Sequence, residues 1–189
     1  MSNPVRSLPG SRTGRPWGLN GSHHRAALSV FMVIVLAHWA EHLSQAYQIW
    51  ALGWKPPQAR GVLGMPFPWL ISSEWLHYGY AFVMLSLLFP LRPGFVGRSR
   101  TWWTVALAVQ FWHHVEHLLL LLQSQSGHFL AGQAVPTSIL QLVLPRVELH
   151  LFYNTVVFIP MVIAMYLHLR PSRAESLDMT CSCRPPLPA

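Results

Sequence analysis

Apolar residues are concentrated in four long segments of the chain, at about residues 26–50, 67–91, 101–123 and 137–169. Each is at least as long as the roughly 20 residues that an α-helix needs to cross the hydrocarbon core of a bilayer. The fourth is so long that we expect it to be tilted, kinked or partly outside the bilayer. The pattern predicts an all-α, multi-pass membrane protein with a four-helix transmembrane bundle over residues 26–170.

The charged residues indicate how the predicted helices are oriented in the membrane. They make up 10% of the chain, against about 25% in soluble domains. Basic residues precede the first helix, separate the second from the third and follow the fourth, and the third loop has none. This positive-inside pattern predicts that both termini face the cytoplasm, most simply at the cell membrane, with residues 1–25 as a basic tail. The net charge of +7 therefore indicates membrane topology, and no nucleic-acid partner is expected.

Both cysteines of the chain, Cys181 and Cys183, lie in a Pro- and Arg-rich C-terminal stretch. A C-x-C pair can bind a soft metal ion. The composition instead favours a disordered cytoplasmic tail over residues 171–189, with both thiols reduced.

Two pairs of short motifs indicate an internal repeat. The stretch HWAEHL at 38–43 matches HHVEHL at 113–118, and LHYGY at 76–80 matches LHLFY at 149–153 with nearly the same shift. The first predicted helix thus resembles the third, and the second resembles the fourth. A duplicated two-helix hairpin explains this, with the copies related by a pseudo-two-fold axis along the membrane normal.

The repeated motifs place ionisable side chains inside the predicted membrane helices, where each costs free energy unless it is paired. Positions i, i+3 and i+4 share one helix face, so each H-x-x-E-H motif presents three candidate ligands together. Glu74 and His77 also share a face, whereas Glu148 and His150 lie on nearly opposite faces unless Pro145 distorts the helix. The predicted metal ligands are His38, Glu41, His42, Glu74, His77, His113, Glu116, His117, Glu148 and His150.

Other polar groups lie beside these ligands along the helices. His114 is off the shared face of its motif, and Arg146 and Asn154 are one turn before and one turn after His150. We expect such neighbours to orient the ligands or contact a substrate. The predicted supporting residues are His114, Arg146, Asn154, Tyr80 and Tyr153.

Carboxylates and imidazoles that converge from four helices are typical of a metal site, and two repeats would supply two half-sites. The sequence therefore predicts two bound ions of iron, copper or zinc. A position inside the membrane suits an oxidoreductase that acts on a lipophilic small molecule, a quinone electron carrier or O₂. The lipid bilayer is the expected partner, and so small a bundle could work as a homo-oligomer.

Three other functions use the same residue types. Paired histidines at one depth can ligate b-type haem, although haem iron has little use for nearby carboxylates. H-x-x-E-H is also a zinc-hydrolase spacing, with two histidines on zinc and the glutamate as base. Chains of His and Glu also carry metal ions or protons across membranes. A bundle held together only by His–Glu hydrogen bonds is the fourth, purely structural alternative.

Overall fold

A computed structural model describes residues 18–185, and the predictions for residues 1–17 and 186–189 lie outside these described residues. From residue 18 to residue 185 the chain forms helices and connecting loops, with no strand. The helices are α1 (His24–Trp50), α2 (Trp69–Ser72), α3 (Glu74–Leu91), α4 (Gly97–Ser126), α5 (Arg146–Leu169) and α6 (Arg173–Asp178).

Three of these helices, α1, α4 and α5, are long and apolar enough to cross a membrane. Their outward faces carry large apolar side chains such as Val33, Phe111 and Ile159, each more than half exposed. Such a surface is typical of contact with lipid rather than water. The remaining predicted span, residues 67–91, contains α3, which does not reach the same combination of length and hydropathy, so three spans are supported.

Two of the predicted segments are shortened by local backbone geometry. The segment 67–91 is broken at Ser73, whose extended backbone (φ −88°, ψ 113°) separates α2 from α3. The segment 137–169 holds a short 3₁₀ helix at Leu140–Leu142 and becomes α-helical only at Arg146, after Pro145, whose backbone is extended (φ −61°, ψ 153°). A proline fits this position because its missing N–H is not needed at a helix start.

The core lies where α4 packs against α3 and α5, with α1 closing the remaining side. Its largest buried side chain is Trp103, which packs against Phe31 and Phe95. The Trp103 indole N–H donates to the carbonyl of Leu88 at 2.8 Å. That carbonyl is available because the Arg92 amide bonds to Phe89 instead at the end of α3. This hydrogen bond satisfies both the indole N–H and a backbone carbonyl at the end of α3.

One end of the bundle, which we call the terminal end, joins residues 18–23, 92–96 and 170–185. The Asn20 side chain donates to the Pro90 carbonyl (2.7 Å) and accepts from the Gly94 amide (3.0 Å). The Ser182 amide donates to the Gly21 carbonyl at 2.8 Å. The opposite end, the loop end, carries residues 51–73 and 127–145.

The segment after α5 differs from the disordered tail that composition suggests. Ser172 and Glu175 form a capping box at the start of α6. The Glu175 carboxylate also accepts from the Arg98 amide and guanidinium at 3.0–3.2 Å, which docks α6 on the start of α4. Gly97 has φ +50°, and a Cβ there would lie only 2.5 Å from a Glu175 oxygen. Long-range partners, absent from a composition argument, order this segment.

Acidification is expected to undock α6. Hydrogen bonds from Arg98 hold the pKa of Glu175 well below its usual range. The stabilisation is therefore fully present above about pH 4.3, the usual glutamate pKa, and is lost as pH falls through the lowered folded value. We predict that Glu175→Gln speeds amide exchange of residues 173–178 several-fold at pH 7, measured by hydrogen-exchange mass spectrometry in detergent. Glu148→Gln, at an exposed site, is the control, and equal exchange in both variants would contradict the docking role.

Candidate metal centre

Six of the ten predicted ligands meet in the interior of the bundle, and all six are histidines. Neighbouring rings have centres 4.4 to 6.1 Å apart. Two imidazoles that bind one ion at about 2.0–2.1 Å have ring centres roughly 5 Å apart. We call this group the histidine cluster: His38 and His42 from α1, His77 from α3, His113 and His117 from α4, and His150 from α5.

The closest pair of the cluster lies on α4. The Nε2 atoms of His113 and His117 are 3.2 Å apart, and both side chains are buried. Two nitrogens bound to the same tetrahedral ion at 2.0–2.1 Å lie about 3.3 Å apart. The spacing i, i+4 on one helix thus brings these two nitrogens to the separation of a chelating pair.

Two further imidazoles are oriented by their own backbones. The Nδ1–H of His77 donates to the Ser73 carbonyl (2.9 Å), and that of His150 donates to the Arg146 carbonyl (2.7 Å). Each bond is made to the first turn of its helix and leaves Nε2 without a proton. The Nε2 atom of His150 is buried without a hydrogen-bond partner. Metal-binding histidines are commonly held in this way, with Nδ1 on a carbonyl and Nε2 on the ion.

The α1 histidines are held by side chains. The amide oxygen of Gln45 lies 3.1 Å from Nδ1 of His42 and can accept a hydrogen bond from its N–H. His38 stacks on Tyr80 with ring centres 3.6 Å apart and planes 10° apart. On the other side of the cluster, the Tyr153 ring lies 4.3 Å from that of His113. Both predicted tyrosines therefore flank the cluster.

The cluster does not hold a finished coordination shell. Across residues 18–185, no three of its ring nitrogens lie within 4.8 Å of one another. The rings approach in pairs, so a third nitrogen would reach a shared ion only after a ring rotation. Nδ1 of His113, Nδ1 of His117 and Nε2 of His150 are buried without a hydrogen-bond partner.

The glutamates of the H-x-x-E-H motifs point to loops rather than to the cluster. Glu41 accepts from the amides of Val62, Leu63 and Gly64 at 3.0–3.2 Å. Glu116 accepts from the Leu140 amide (3.1 Å) and the Ser138 hydroxyl (3.3 Å). Each carboxylate thus binds the loop that follows its own helix; both line cavities that cluster histidines also line, but their hydrogen bonds go to the loops.

Two glutamines that the sequence analysis did not single out strengthen the same loop contacts. Gln48 accepts from the Gly61 amide (2.8 Å) and donates to its carbonyl (3.0 Å). Gln123 accepts from the Thr137 amide (3.3 Å) and donates to its carbonyl (2.9 Å). The two glutamines occupy equivalent positions on α1 and α4, each seven residues after the motif glutamate. Extending the comparison of these two helices beyond the H-x-x-E-H motif would have identified them.

The other two predicted glutamate ligands also lie outside the cluster. Glu74 forms an ion pair with Arg146 at 2.7 Å, beside the carbonyl that holds His150. Glu148 is exposed, as expected if α5 stays regular and its E-x-H spacing points the two side chains apart. The six predicted ligands that meet in the cluster are therefore all nitrogen donors, and Arg146 is engaged with a carboxylate.

The remaining supporting residues are divided between two places. His114 packs on Tyr78 and Phe82 of α3, outside the cluster. Asn154 lines a small internal cavity of about 20 Å³ next to His38 and His113. This volume is enough for one water molecule.

A cleft of about 430 Å³ leads to the cluster from the side of α1 and α3. Apolar side chains form its outer part, and histidines form its inner wall. The apolar lining includes Ile34, Leu63, Leu70, Ile71 and Leu76, and the inner wall includes His38, His42 and His77. A cleft of this size and lining suits a largely apolar small molecule.

No family model, curated protein or solved structure matches this chain. Its function must therefore be inferred from the chemistry of these side chains.

The contact between Glu41 and its loop can be tested through Gly61. This glycine has φ +68°, and a Cβ there would overlap the Glu41 carboxylate. Gly53 has φ +69° but open space around it, so Gly53→Ala carries only the backbone penalty of about 1–2 kcal/mol. We predict that Gly61→Ala lowers the thermal unfolding temperature in detergent more than Gly53→Ala does. Equal shifts would show that Glu41 does not hold this loop.

Proposed function

We propose that this protein is an integral membrane metalloprotein whose histidine cluster binds two transition-metal ions and carries out redox chemistry on a lipophilic substrate. In this proposal α3 crosses the bilayer together with α1, α4 and α5. The convergence of six imidazoles from four helices is the observation that carries it. Isolated burial of so many polar rings in an apolar bundle would be costly, and a shared ligand offsets that cost.

The ligand chemistry favours copper among the redox metals. Imidazole nitrogens suit copper, zinc and iron, whereas bundle sites for iron usually add several carboxylates. All four candidate carboxylates are directed elsewhere, to the two loops, to Arg146 or to the surface. A nitrogen-only set of six rings is enough for two ions with three imidazoles each.

A duplicated hairpin is the simplest source of two such ions. His77 and His150 make the same Nδ1 bond to the residue four positions earlier. Glu41 and Glu116 each bind the loop after their own helix. Gln48 and Gln123 also match, because each side chain forms two hydrogen bonds with the backbone of one loop residue. Each repeat would then contribute two histidines from an H-x-x-E-H helix and one from the following long helix.

The cleft supports a substrate that enters from the lipid. Most of its lining is apolar or formed by the cluster, and its one carboxylate, that of Glu41, is bound to loop amides, so an apolar molecule can approach the imidazoles. Bound copper would supply one-electron transfer or activation of O₂. The protein's own groups would orient the ligands through the carbonyls of Ser73 and Arg146, pack an aromatic wall with Tyr80, and exclude bulk water.

Hydrolysis is supported less well by the same geometry. A zinc hydrolase of the H-x-x-E-H type needs its glutamate free to take a proton from water. Both Glu41 and Glu116 instead accept hydrogen bonds from their loops.

Metal analysis of detergent-purified protein tests the proposal. We use a Cys181→Ser/Cys183→Ser background so that the terminal thiols contribute nothing. About two equivalents of copper or another redox metal are expected there, and at least one is expected to be lost in a further His42→Ala/His117→Ala variant. His128→Ala is the control, since His128 is exposed in a loop and its loss should leave the metal content unchanged.

Other results would replace the proposal with a named alternative. A Soret band would indicate haem, and one zinc ion without redox activity would favour hydrolysis. A folded protein that binds no transition metal would overturn the metal assignment. Proton or metal flux into liposomes would then identify a transport function.

A further inference from the structure

The terminal end of the bundle holds a second group of metal-binding side chains. His168, Cys181 and Cys183 each place one ligand atom within 4.8 Å of the other two. In the part of the chain that the structure describes, no other group of three His, Cys, Asp or Glu residues is so compact. His168 follows His150 on α5 by about 27 Å at 1.5 Å per residue, so the two sites cannot share an ion.

The thiols are positioned by hydrogen bonds that need no metal. The Ser182 amide donates to the Gly21 carbonyl at 2.8 Å, and the Ser182 hydroxyl accepts from the Arg25 amide at 3.0 Å. Met179 and Cys181, on the same segment, are completely buried. The C-x-C segment is therefore held against the start of α1, beside the end of α5.

The distance between the ligand atoms matches a tetrahedral ion. Sγ of Cys181 and Nε2 of His168 are 3.5 Å apart. A thiolate at about 2.3 Å and an imidazole at about 2.0–2.1 Å from a tetrahedral Zn²⁺ would lie about 3.6 Å apart. Both cysteines are free rather than joined in a disulfide.

His24 offers a fourth ligand next to this group. Its ring is fully buried, with its centre 5.3 Å from that of His168. Nδ1 lies 3.3 Å from the Leu19 carbonyl, whereas Nε2 is buried without a hydrogen-bond partner. A Cβ at Gly94 would overlap the His24 ring, so the α3–α4 turn packs directly on this histidine. A buried nitrogen without a partner is costly, and a metal ion would satisfy it.

We propose that Cys181, Cys183 and His168 bind one Zn²⁺ ion, and that the His24 ring, which lies just outside this compact group, shifts to complete a tetrahedral site. Two thiolates and two imidazoles form a ligand set typical of structural zinc, which has no open position for a substrate. Binding would release the two thiol protons to solvent. The ion would fasten the C-terminal segment to α1 and α5, and this role is independent of the histidine cluster.

Zinc content and cobalt spectra test this site in full-length protein carrying His42→Ala/His117→Ala, which weakens the histidine cluster. We expect about one equivalent of zinc, lost in both Cys181→Ser and Cys183→Ser. Ser182→Ala is the matched control, because it removes a hydrogen bond of the same segment but no ligand. Co²⁺ in place of zinc should give a thiolate charge-transfer band in the parent and in Ser182→Ala only.

A milder variant and a second measurement guard against misfolding. His24→Ala should weaken zinc affinity by about tenfold or more, since even residues around a ligand shell commonly contribute that much. Zinc should also slow alkylation of both thiols in the parent protein. The proposal is overturned if the parent shows no cobalt–thiolate band, if Cys181→Ser keeps its zinc, or if the thiols bind Cu(I) and exclude zinc.

Discussion

A buried polar group in an apolar bundle must find a partner inside the protein, and this constraint governs the arrangement of the whole chain. Glu41 and Glu116 meet it by accepting hydrogen bonds from the loops that follow their helices. Gln48 and Gln123 meet it with paired amide bonds to the same loops. These side chains lie on the helices that carry the H-x-x-E-H histidines, so the loops and the histidine cluster are tied to the same pieces of backbone.

Several buried histidines do not satisfy this constraint within the protein, which points to a bound ligand. Three rings of the cluster keep a buried nitrogen without a partner, and the same is true of His24 and His168 at the terminal end. The Trp103 indole and the Asn20 side chain, in contrast, are paired with backbone groups. At each place one histidine, His150 or His24, has Nδ1 next to a backbone carbonyl and Nε2 buried without a partner, and a metal ion would satisfy that Nε2.

Helical spacing was sufficient to predict which histidines meet, because i, i+4 geometry and a shared depth are local properties of a sequence. His113 and His117 illustrate this directly. The same reasoning could not place Glu41 or Glu116, because the partners of these carboxylates lie more than 20 residues away in loops. It also could not foresee the break at Ser73 or the burial of Cys181, since each depends on tertiary packing rather than on neighbouring residues.

The bond between Gly21 and Ser182 joins the two ends of the described chain. A ribosome makes Gly21 before all six helices and Ser182 after them, so this bond cannot form while any helix between the two residues is being synthesised. The bonds from Asn20 to Pro90 and Gly94 can form earlier, whereas closure by Ser182 is a late event that follows synthesis of the last helices. A nascent chain arrested before residue 182 would contain all its long helices but would lack the bond that joins Gly21 to the C-terminal segment.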